Sequence, residues 1–427
     1  MAHCPSPLAC ILMRILFLTQ WFQPEVMLKG LPFARALRAL GHEVEVLTGF
    51  PNYPGGKIYN GYRLRLYQKE EIDKIPVHRV WLYPSHDRSA ARRILNYCSF
   101  AASALLMAPW VVKKKPDVIY CYNLITLART AFVLRRLWGC KVVMDIQDLW
   151  PESVAGSGMM KSPFLLSGLT TFCNRTYQKA DALAVLSPGF RETLVHRGLP
   201  EEKIDVIYNW GQEDNQQAGH GGNPLQDLLN LQGKFVVLFA GTMGVLQGVD
   251  TLLEAAHLCR TSLPDVRFVL AGGGTEKERL ETQAARMDLD NVIFLPFRPP
   301  SAMGDVFALA DALIVHLKDE PVFRFTIPSK TQSYLFAARP LIMAVRGNAA
   351  DLVERSQSGI VCPPENPEAI VRAVTDLFGM TIEERQAMGQ NARTFYLNEM
   401  SLKTGVARFE KLFYAACGRI NNSAKTE

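Results

Sequence analysis

Two glycine-rich segments carry the residues of this sequence best suited to hold a phosphate. The first is Phe239-Ala-Gly-Thr-Met-Gly244, which continues to Gln247 and Gly248, and the second is Leu270-Ala-Gly-Gly-Gly-Thr275. Each lies between a strand-like run and a helical pattern, where bare backbone N–H groups and a helix amino end can face an anion. A tight turn needs the same glycines, so both readings stay open. No Gly-Lys-Ser or Gly-Lys-Thr follows, which excludes a Walker A loop.

Acidic residues elsewhere could orient the hydroxyl groups of a sugar. Asp148 and Glu152 are the best candidates, although carboxylates around a proline also favour a helix start. His86 and Asp87 lie in a predicted loop and could bind an acceptor, but a lone loop histidine is often merely exposed. The single Asp-x-Asp, at 288–290, falls in a polar turn and is interpreted as solvated surface, so we expect no metal.

The elements that must position these residues are strands alternating with helices. Strand-like apolar runs occupy residues 14–19, 43–48, 77–83, 117–122, 141–146, 182–186, 235–239, 266–270, 292–295, 312–316 and 341–345. A polar stretch at 211–222 separates the first six runs from the rest. The pattern predicts an α/β protein with two doubly wound parallel sheets, whose ligands lie outside the carboxyl ends of the strands.

Composition narrows the class of protein. The 427 residues suffice for two or three domains, and 48% apolar with 21% charged residues is ordinary for a globular chain. Nine scattered cysteines without a CxxC pair predict reduced thiols and no zinc site. The net charge of +6 is too weak to indicate nucleic-acid binding. The first twelve residues lack a basic segment, so no signal peptide is expected.

The longest apolar run, Cys98 to Val112, has two arginines before it and three lysines after it. It is shorter than the roughly 18 continuous apolar residues of a spanning helix. One interpretation is a buried helix packed on a sheet. The other is a membrane surface helix that dips apolar side chains into lipid while the flanking cations meet anionic head groups. Those apolar side chains would be Phe100, Leu105, Leu106, Met107 and Trp110.

The motifs together resemble family 4 glycosyltransferases. Their order along the chain is Gly41-His-Glu-Val-Glu-Val-Leu-Thr48, Asp148-Leu-Trp-Pro-Glu-Ser153, Ser187-Pro-Gly-Phe190, Val206-Ile-Tyr-Asn-Trp210, the two glycine segments and Ile327-Pro-Ser-Lys330. Phe50-Pro-Asn-Tyr-Pro54 and Tyr83-Pro-Ser-His-Asp87 are similar to the L-fucosamine transferase branch. The resemblance implies a GT-B fold with two Rossmann-like domains facing a cleft, retention of configuration and no cofactor beyond a nucleotide-sugar co-substrate. We expect domains at 13–205 and 206–390, with 391–427 packing back towards the first.

The resemblance also implies which residues bind the donor, and this sequence departs from the family there. Thr242 and Gln247 stand where many relatives carry Arg and Lys, and Ser333 stands at one of the family's paired glutamates. Our hypothesis is that Arg324 and Lys330 supply the missing charge. The expected donor-binding residues are Gly30, Gly241, Thr242, Gly244, Gln247, Gly272, Gly273, Arg324, Ser329, Lys330, Gln332 and Ser333.

The resemblance implies that the catalytic residues are Asp148, Glu152 and Gln147, which would orient sugar hydroxyl groups. Gln147 stands where many relatives carry a histidine, and His86 and Asp87 would bind acceptor. The leading functional hypothesis is transfer of a sugar, with the N-acetyl-fucosamine type as the candidate, from a UDP-sugar to a polyprenyl-diphosphate-linked glycan. The enzyme would then be cytoplasmic and peripheral on the inner membrane face, in O-antigen or similar polysaccharide assembly. A catalytically silent nucleotide-sugar-binding homologue and a sugar-nucleotide epimerase are the alternatives. A Rossmann dehydrogenase is disfavoured because no Gly-x-Gly-x-x-Gly follows the first strand.

Overall fold

A computed structural model describes residues 12–85, 89–152, 163–213 and 223–419. The chain divides into two compact units. Unit 1 comprises the residues up to Leu186, Phe190–Ile207 and the chain from Val406 onward. Unit 2 comprises Ser187–Gly189 and Tyr208–Gly405. Each unit is a sheet covered by helices, as the alternating pattern predicts.

The sheet of unit 1 has eight strands in the order β3-β4-β2-β1-β5-β6-β7-β8. Its strands are β1 Arg14–Leu18, β2 Glu43–Gly49, β3 Tyr67–Ile72, β4 Ile75–Val80, β5 Val118–Tyr122, β6 Lys141–Ile146, β7 Ala182–Val185 and β8 Ile204–Val206. All described pairings are parallel except β3 with β4. β5 and β7 are buried throughout and β1 is buried after Arg14, which explains their continuous apolar runs.

The helices that accompany this sheet follow the same chain order. They are α1 Leu31–Ala39, α2 Ala90–Val111, α3 Ile125–Trp138, α4 Pro163–Lys179 and α5 Pro188–His196, whose first two residues fall in unit 2. Gly139 ends α3 in the left-handed conformation at φ 71°, the usual glycine stop. α1 begins at the buried Gly30 and presents Phe33 and Leu37 to the core.

The sheet of unit 2 has six parallel strands in the order β11-β10-β9-β12-β13-β14. Its strands are β9 Phe235–Thr242, β10 Val266–Gly273, β11 Val292–Leu295, β12 Ala312–His316, β13 Leu341–Ala344 and β14 Gly359–Val361. The helices from unit 2 onward are α6 Pro224–Leu228, α7 Asp250–Ser262, α8 Lys277–Arg286, α9 Met303–Ala308, α10 Ser329–Phe336, α11 Asn348–Ser356, α12 Pro367–Gly379, α13 Ile382–Glu399 and α14 Leu402–Ala416. One apolar core lies between β9, β10, β12 and the helices α7 and α12.

The last helix crosses from one unit to the other. From Val406 the residues of α14 belong to unit 1, where Phe409 packs at 4.9 Å from the ring of Phe33 and 5.6 Å from that of Tyr120. His42 and Glu410 form a contact of 2.9 Å beside this aromatic cluster. The chain therefore completes the core of unit 1 with its C-terminal segment.

The predicted fold of two Rossmann-like domains is confirmed, whereas individual strands were missed. β3 was not predicted because Tyr67-Gln-Lys-Glu-Glu-Ile72 is a charged edge strand with no buried residue. β8 and β14 have three residues each, too few for an apolar run to be recognised. The fourth strand ends at Val80, three residues earlier than expected.

Helix α2 contains the long apolar run and presents two different faces. Phe100, Ala104 and Ala108 are fully buried, while Leu106 is 71% and Trp110 81% exposed. By length and composition alone, Ala91–Val111 would suit a membrane span. Its buried face packs on unit 1, and Asn96 anchors it by donating to the carbonyl of Tyr83 at 2.6 Å. The buried face therefore fits the interpretation of a helix packed on a sheet. The membrane-surface interpretation stays a prediction for the exposed Leu106 and Trp110, whereas Phe100 is buried in the protein.

Candidate functional site

A cavity of about 740 Å³ lies in unit 2 at the carboxyl ends of β9 and β10. The two strands pair in register to their last residues, Gly272 opposite Gly241 and Gly273 opposite Thr242. Both glycine segments thus reach one edge of the sheet, as expected for ligand sites of parallel sheets. Of the predicted donor-binding residues, eight line this cavity: Gly241, Thr242, Gln247, Gly272, Gly273, Ser329, Lys330 and Ser333.

The three consecutive glycines of the second segment have different roles. Gly272 has φ +140°, and a Cβ built there would stand 2.0 Å from the carbonyl oxygen of Gly241. Gly274 has φ +146°, with a Cβ 2.3 Å from the carbonyl oxygen of Met243. A Cβ at Gly273 would meet nothing within 4 Å. Gly272 and Gly274 are therefore required because the neighbouring backbone leaves no room for a side chain. Gly273 has no such packing reason, and a side chain there would only extend into the cavity.

The first segment is held by its own side chains and by a buried histidine. Gly244 donates its N–H to the Gln247 side-chain oxygen at 3.1 Å, which closes the short turn after β9. His316 is fully buried, and its Nε2 accepts the N–H of Glu365 at 3.0 Å. Since Nε2 accepts, Nδ1 carries the hydrogen and donates to the Gln247 carbonyl at 2.8 Å. Burial lowers the pKa of His316, in keeping with this neutral form.

Lys330 places a buried amine against the carboxyl ends of β9 and β10, which we call the glycine edge after Gly241, Gly272 and Gly273. A Cβ on Gly241 would stand 3.2 Å from its Nζ, and the Nζ lies 3.5 Å from the centre of the Phe239 ring. The Nζ has no hydrogen-bond partner among the residues that the structure describes. Burial lowers the pKa of Lys330 to about 7. An amine in this setting gains most from an anion, because a buried charge without a partner is costly.

Other predicted donor residues lie away from this cavity. Arg324 is half exposed and pairs with Asp319 at 3.4 Å, so the structure does not bring its charge to Lys330. Gln332 is buried and, with its amide turned to satisfy its neighbours, donates to the carbonyl of Ser329 at 2.8 Å. Gly244 shapes the turn without lining the cavity.

Sequence reasoning missed several lining residues, of which Arg298 and Phe297 matter most for binding a ligand. Arg298 reaches the cavity, and its Nε is buried without a hydrogen-bond partner in the described part of the chain. Beside it, Phe297 lines the same cavity with 74% of its surface exposed. The only signal available was a Phe-Arg-Pro-Pro sequence directly after a strand, which no general motif marks as a site.

In unit 1, the carboxyl end of β6 carries a buried charge network. Lys29 and Asp145 are both fully buried, with Nζ and Oδ2 2.9 Å apart. The Tyr120 hydroxyl donates to the same Oδ2 at 2.6 Å, and the Gln147 amide donates to Oδ1 at 2.5 Å. Burial lowers the pKa of Lys29, and the neighbouring Asp145 opposes that shift. The pair fixes Gln147 and the loop that leads into Gly30.

A small cavity of about 110 Å³ lies next to this network. Asp148 lines it together with the aromatic side chains of Trp21, Tyr97 and Trp150. The pKa of the Asp148 carboxyl is raised because its surroundings remove part of its water. Trp21 also packs on Tyr97 at 6.1 Å between ring centres. Aromatic faces around a carboxylate suit a polyhydroxylated ring, whose hydroxyl groups can donate to the carboxylate oxygens.

The remaining predictions for unit 1 have different outcomes. Glu152 pairs with Arg197, which also donates to the Trp150 carbonyl at 2.9 Å, so its carboxylate supports the loop and does not line the small cavity. Gly30 is buried at the start of α1. His86 and Asp87 lie outside the described residues. The described ranges contain no group of three or more His, Cys, Asp and Glu side chains that could hold a metal.

Two family models match nearly consecutive parts of the chain. A glycosyl transferase 4-like domain matches residues 31–210, and a glycosyl transferases group 1 domain matches residues 225–395. The first match falls on the sheet with the aromatic cavity and the second on the sheet with the glycine edge. The chain belongs to the family 4 glycosyltransferases of GT-B fold and is a glycosyltransferase.

Named relatives and solved structures agree with this class. WcaI of Escherichia coli K12, named as a colanic acid biosynthesis glycosyl transferase, is 27% identical over 79% of this chain and 84% of its own length. The O-antigen chain mannosyltransferase C of Escherichia coli is 27% identical over 70% of this chain and 80% of its own. The Anabaena HepE structure with UDP and glucose superposes with a TM-score of 0.65 at 17% identity, covering 93% of this chain and 98% of that one.

Proposed function

We propose that this enzyme transfers a sugar from a UDP-sugar to a lipid-linked glycan in surface polysaccharide biosynthesis, retaining the anomeric configuration. The single observation that carries the donor half is the Lys330 amine, buried and without a hydrogen-bond partner among the described residues, at the glycine edge of unit 2. The names of WcaI and the O-antigen mannosyltransferase support the pathway class. UDP stands first among donors because HepE was solved with it.

The donor cavity contains what a nucleoside diphosphate requires. Lys330 and Arg298 would contact the phosphate oxygens as charge-assisted hydrogen-bond donors. Gly273 leaves its backbone open to a close approach, and Ser329 and Ser333 add hydroxyl groups along α10. This arrangement replaces the Arg and Lys that relatives carry where this chain has Thr242 and Gln247. Lys330 keeps the role that the sequence predicts, while Arg298 takes the place expected for Arg324.

The acceptor sugar would occupy the small cavity of unit 1 lined by aromatic side chains and Asp148, which we call the acceptor cavity. Asp148 would accept hydrogen bonds from its hydroxyl groups, and the rings of Trp21 and Trp150 would cover its apolar faces. Gln147 is held by Asp145 and would contribute its amide to sugar binding. The acceptor hydroxyl attacks the anomeric carbon on the side that the diphosphate leaves, the sugar–phosphate bond breaks, and the departing phosphate oxygen takes the proton.

The lipid part of the acceptor is supported by the outer face of α2. Exposed apolar residues recur along it every three or four positions at Ala91, Leu95, Cys98, Ala102, Leu106 and Pro109, and Arg92 and Ile94 are exposed beside the first of them. This apolar stripe passes Tyr97, which lines the acceptor cavity and directly precedes Cys98, and it ends at Trp110. A helix of this kind lies in the interfacial plane of a membrane. The enzyme would then work on the cytoplasmic face, where nucleotide sugars are available.

The test is a screen of nucleotide sugars for protection against thermal unfolding, with turnover assays on each hit. The panel contains UDP-sugars, including UDP-N-acetyl-L-fucosamine, with GDP- and ADP-sugars as controls for the base. A ligand at about a hundred times its Kd stabilises by about 2.7 kcal/mol. We expect a UDP-sugar to protect the wild type and to lose this effect in Lys330→Met.

The outcomes separate the alternatives. Sugar transfer to a lipid-linked acceptor supports the transferase. Protection without turnover, even with such acceptors supplied, favours a silent homologue. Conversion of the donor sugar without any acceptor favours an epimerase. Equal protection of wild type and Lys330→Met contradicts the donor site.

A further inference from the structure

A second cavity in unit 1, of about 760 Å³, lies at the edge of the sheet opposite the acceptor cavity. It is lined by the first residues of β1 and β2, the start of β4 and the chain that precedes β5. The acceptor cavity lies at the other ends of these strands. A strand of five residues spans roughly 16 Å, so the two cavities are separate sites.

Cations dominate the lining of this second cavity. Six are present, Arg14, Arg38, Lys69, Lys74, Lys113 and Lys114, against the carboxylates of Glu43 and Glu45. Glu43 is occupied by Lys114 at 3.0 Å and Arg14 at 3.4 Å, and Glu45 contacts His78 at 2.6 Å. Lys69, Lys74 and Lys113 have no ion-pair partner among the described residues. We call the part of the cavity around these three residues the lysine groove.

The lysine groove opens beside the end of the apolar stripe. Trp110, in the last turn of α2, lines the cavity with 81% of its surface exposed, and Lys113 follows directly after the helix. Tryptophan prefers the head-group level of a bilayer, where one end of its ring is apolar and the other is hydrated. If α2 lies in the membrane surface, the mouth of the groove therefore lies at the level of the lipid phosphates.

We infer that the lysine groove binds the phosphate of an acidic phospholipid head group and so fixes how unit 1 sits on the membrane. The inference rests on the membrane contact of the proposed function. The stripe supplies apolar contact with any bilayer, whereas the groove selects anionic lipid. Three lysines without an ion-pair partner among the described residues give the groove a positive charge that attracts the single negative charge of a phosphate diester, and Trp110 connects this cavity to the apolar face.

The experiment is sedimentation of the full chain with vesicles of phosphatidylcholine, alone or with 30% phosphatidylglycerol. Each lysine near an anionic surface contributes about 1 kcal/mol, or about fivefold in partition. The triple variant Lys69→Gln, Lys74→Gln, Lys113→Gln should lose about 100-fold in binding to the mixed vesicles. Its binding to pure phosphatidylcholine should stay unchanged. The matched control removes the same charge at Lys57, Arg136 and Lys179, which line none of this cavity, and should lose less than fivefold.

Two results would overturn the inference. Equal losses in the triple variant and its control mean that overall charge, and no particular groove, attracts the lipid. Thermal protection by inorganic phosphate that the triple variant loses, with unchanged vesicle binding, means that the groove takes a free anion. UDP-sugar protection and transfer to a detergent-solubilised acceptor are measured on the same variants and should equal wild type. If the wild type shows neither UDP-sugar protection nor transfer, that result contradicts the proposed function and not the lysine groove.

Discussion

Each unit buries a lysine near the carboxyl ends of its parallel strands, and the two lysines have opposite surroundings. In unit 1, Lys29 meets Asp145 at 2.9 Å, and Tyr120 donates to the same carboxylate. In unit 2, Lys330 has no hydrogen-bond partner among the described residues and faces a cavity of about 740 Å³. Burial lowers the pKa of both side chains. The charge of the paired lysine is balanced within unit 1, whereas we propose that the unpaired lysine binds a ligand.

The same contrast recurs in two other pairs. Gly272 is required by strand pairing and Gly273 only by the cavity. Glu152 is engaged by Arg197, while Asp148 has no ion pair in the described ranges and lines the acceptor cavity. These pairs of like residues allow each proposed role to be tested against a neighbour that has only a structural one.

The largest effect is expected from the glycine pair. Gly272→Ala forces a Cβ to 2.0 Å from the Gly241 carbonyl oxygen at a φ of +140°, so we expect destabilisation by more than about 4 kcal/mol. The free energy of unfolding of Gly273→Ala should lie within about 1 kcal/mol of the wild-type value. The variant should nevertheless bind the donor poorly, because its methyl group enters the cavity. Denaturant unfolding and donor titration check both variants. Normal donor binding by Gly273→Ala would break the distinction.

Removing the paired lysine should destabilise the protein. Lys29→Met leaves the Asp145 carboxylate buried without its cation, which costs about 3–5 kcal/mol. Urea unfolding of the whole chain would measure the change. A loss below about 1 kcal/mol would show that the ion pair contributes little to the free energy of unfolding. Lys29 could then no longer serve as the structural counterpart of Lys330.

Removing the unpaired lysine should change the free energy of unfolding in the opposite direction. Lys330→Met replaces a buried amine without a partner by an apolar side chain of similar length, so donor-free stability should rise by about 1–4 kcal/mol. Donor protection should disappear in the same variant. A destabilised Lys330→Met would indicate that the lysine serves the fold.

The smallest expected effect concerns the acceptor cavity. Asp148→Asn should lower kcat/KM for the acceptor by about tenfold, equivalent to about 1.4 kcal/mol, with the KM for the donor unchanged. Glu152→Gln is the control and should change stability by about 1 kcal/mol or less, with less than a twofold effect on the acceptor. Steady-state kinetics with varied acceptor decides. Equal effects of the two substitutions would remove Asp148 from the acceptor site.

Apolar periodicity was enough to predict both sheets, and glycines after strands were enough to predict the edge of the donor cavity. The sequence did not reveal that Arg324 pairs with Asp319 and does not line this cavity, because charge alone does not identify the partner of a side chain. Arg298 was missed because its sequence neighbours form no motif. The aromatic cavity was missed for a different reason: Trp21, Tyr97 and Trp150 are far apart in sequence and meet only through the order of the strands.

The central claim is that the Lys330 amine binds the diphosphate of the donor, and the pH dependence of UDP affinity tests this claim most directly. In donor-free protein the lowered pKa of about 7 makes this lysine increasingly neutral as pH rises above 7. A bound diphosphate restores the charge, so binding takes up a proton. Calorimetry from pH 7 to 8.5 should show UDP affinity falling by up to tenfold per pH unit in wild type and staying flat in Lys330→Met. A flat wild-type profile, or the same slope in both proteins, would contradict the account.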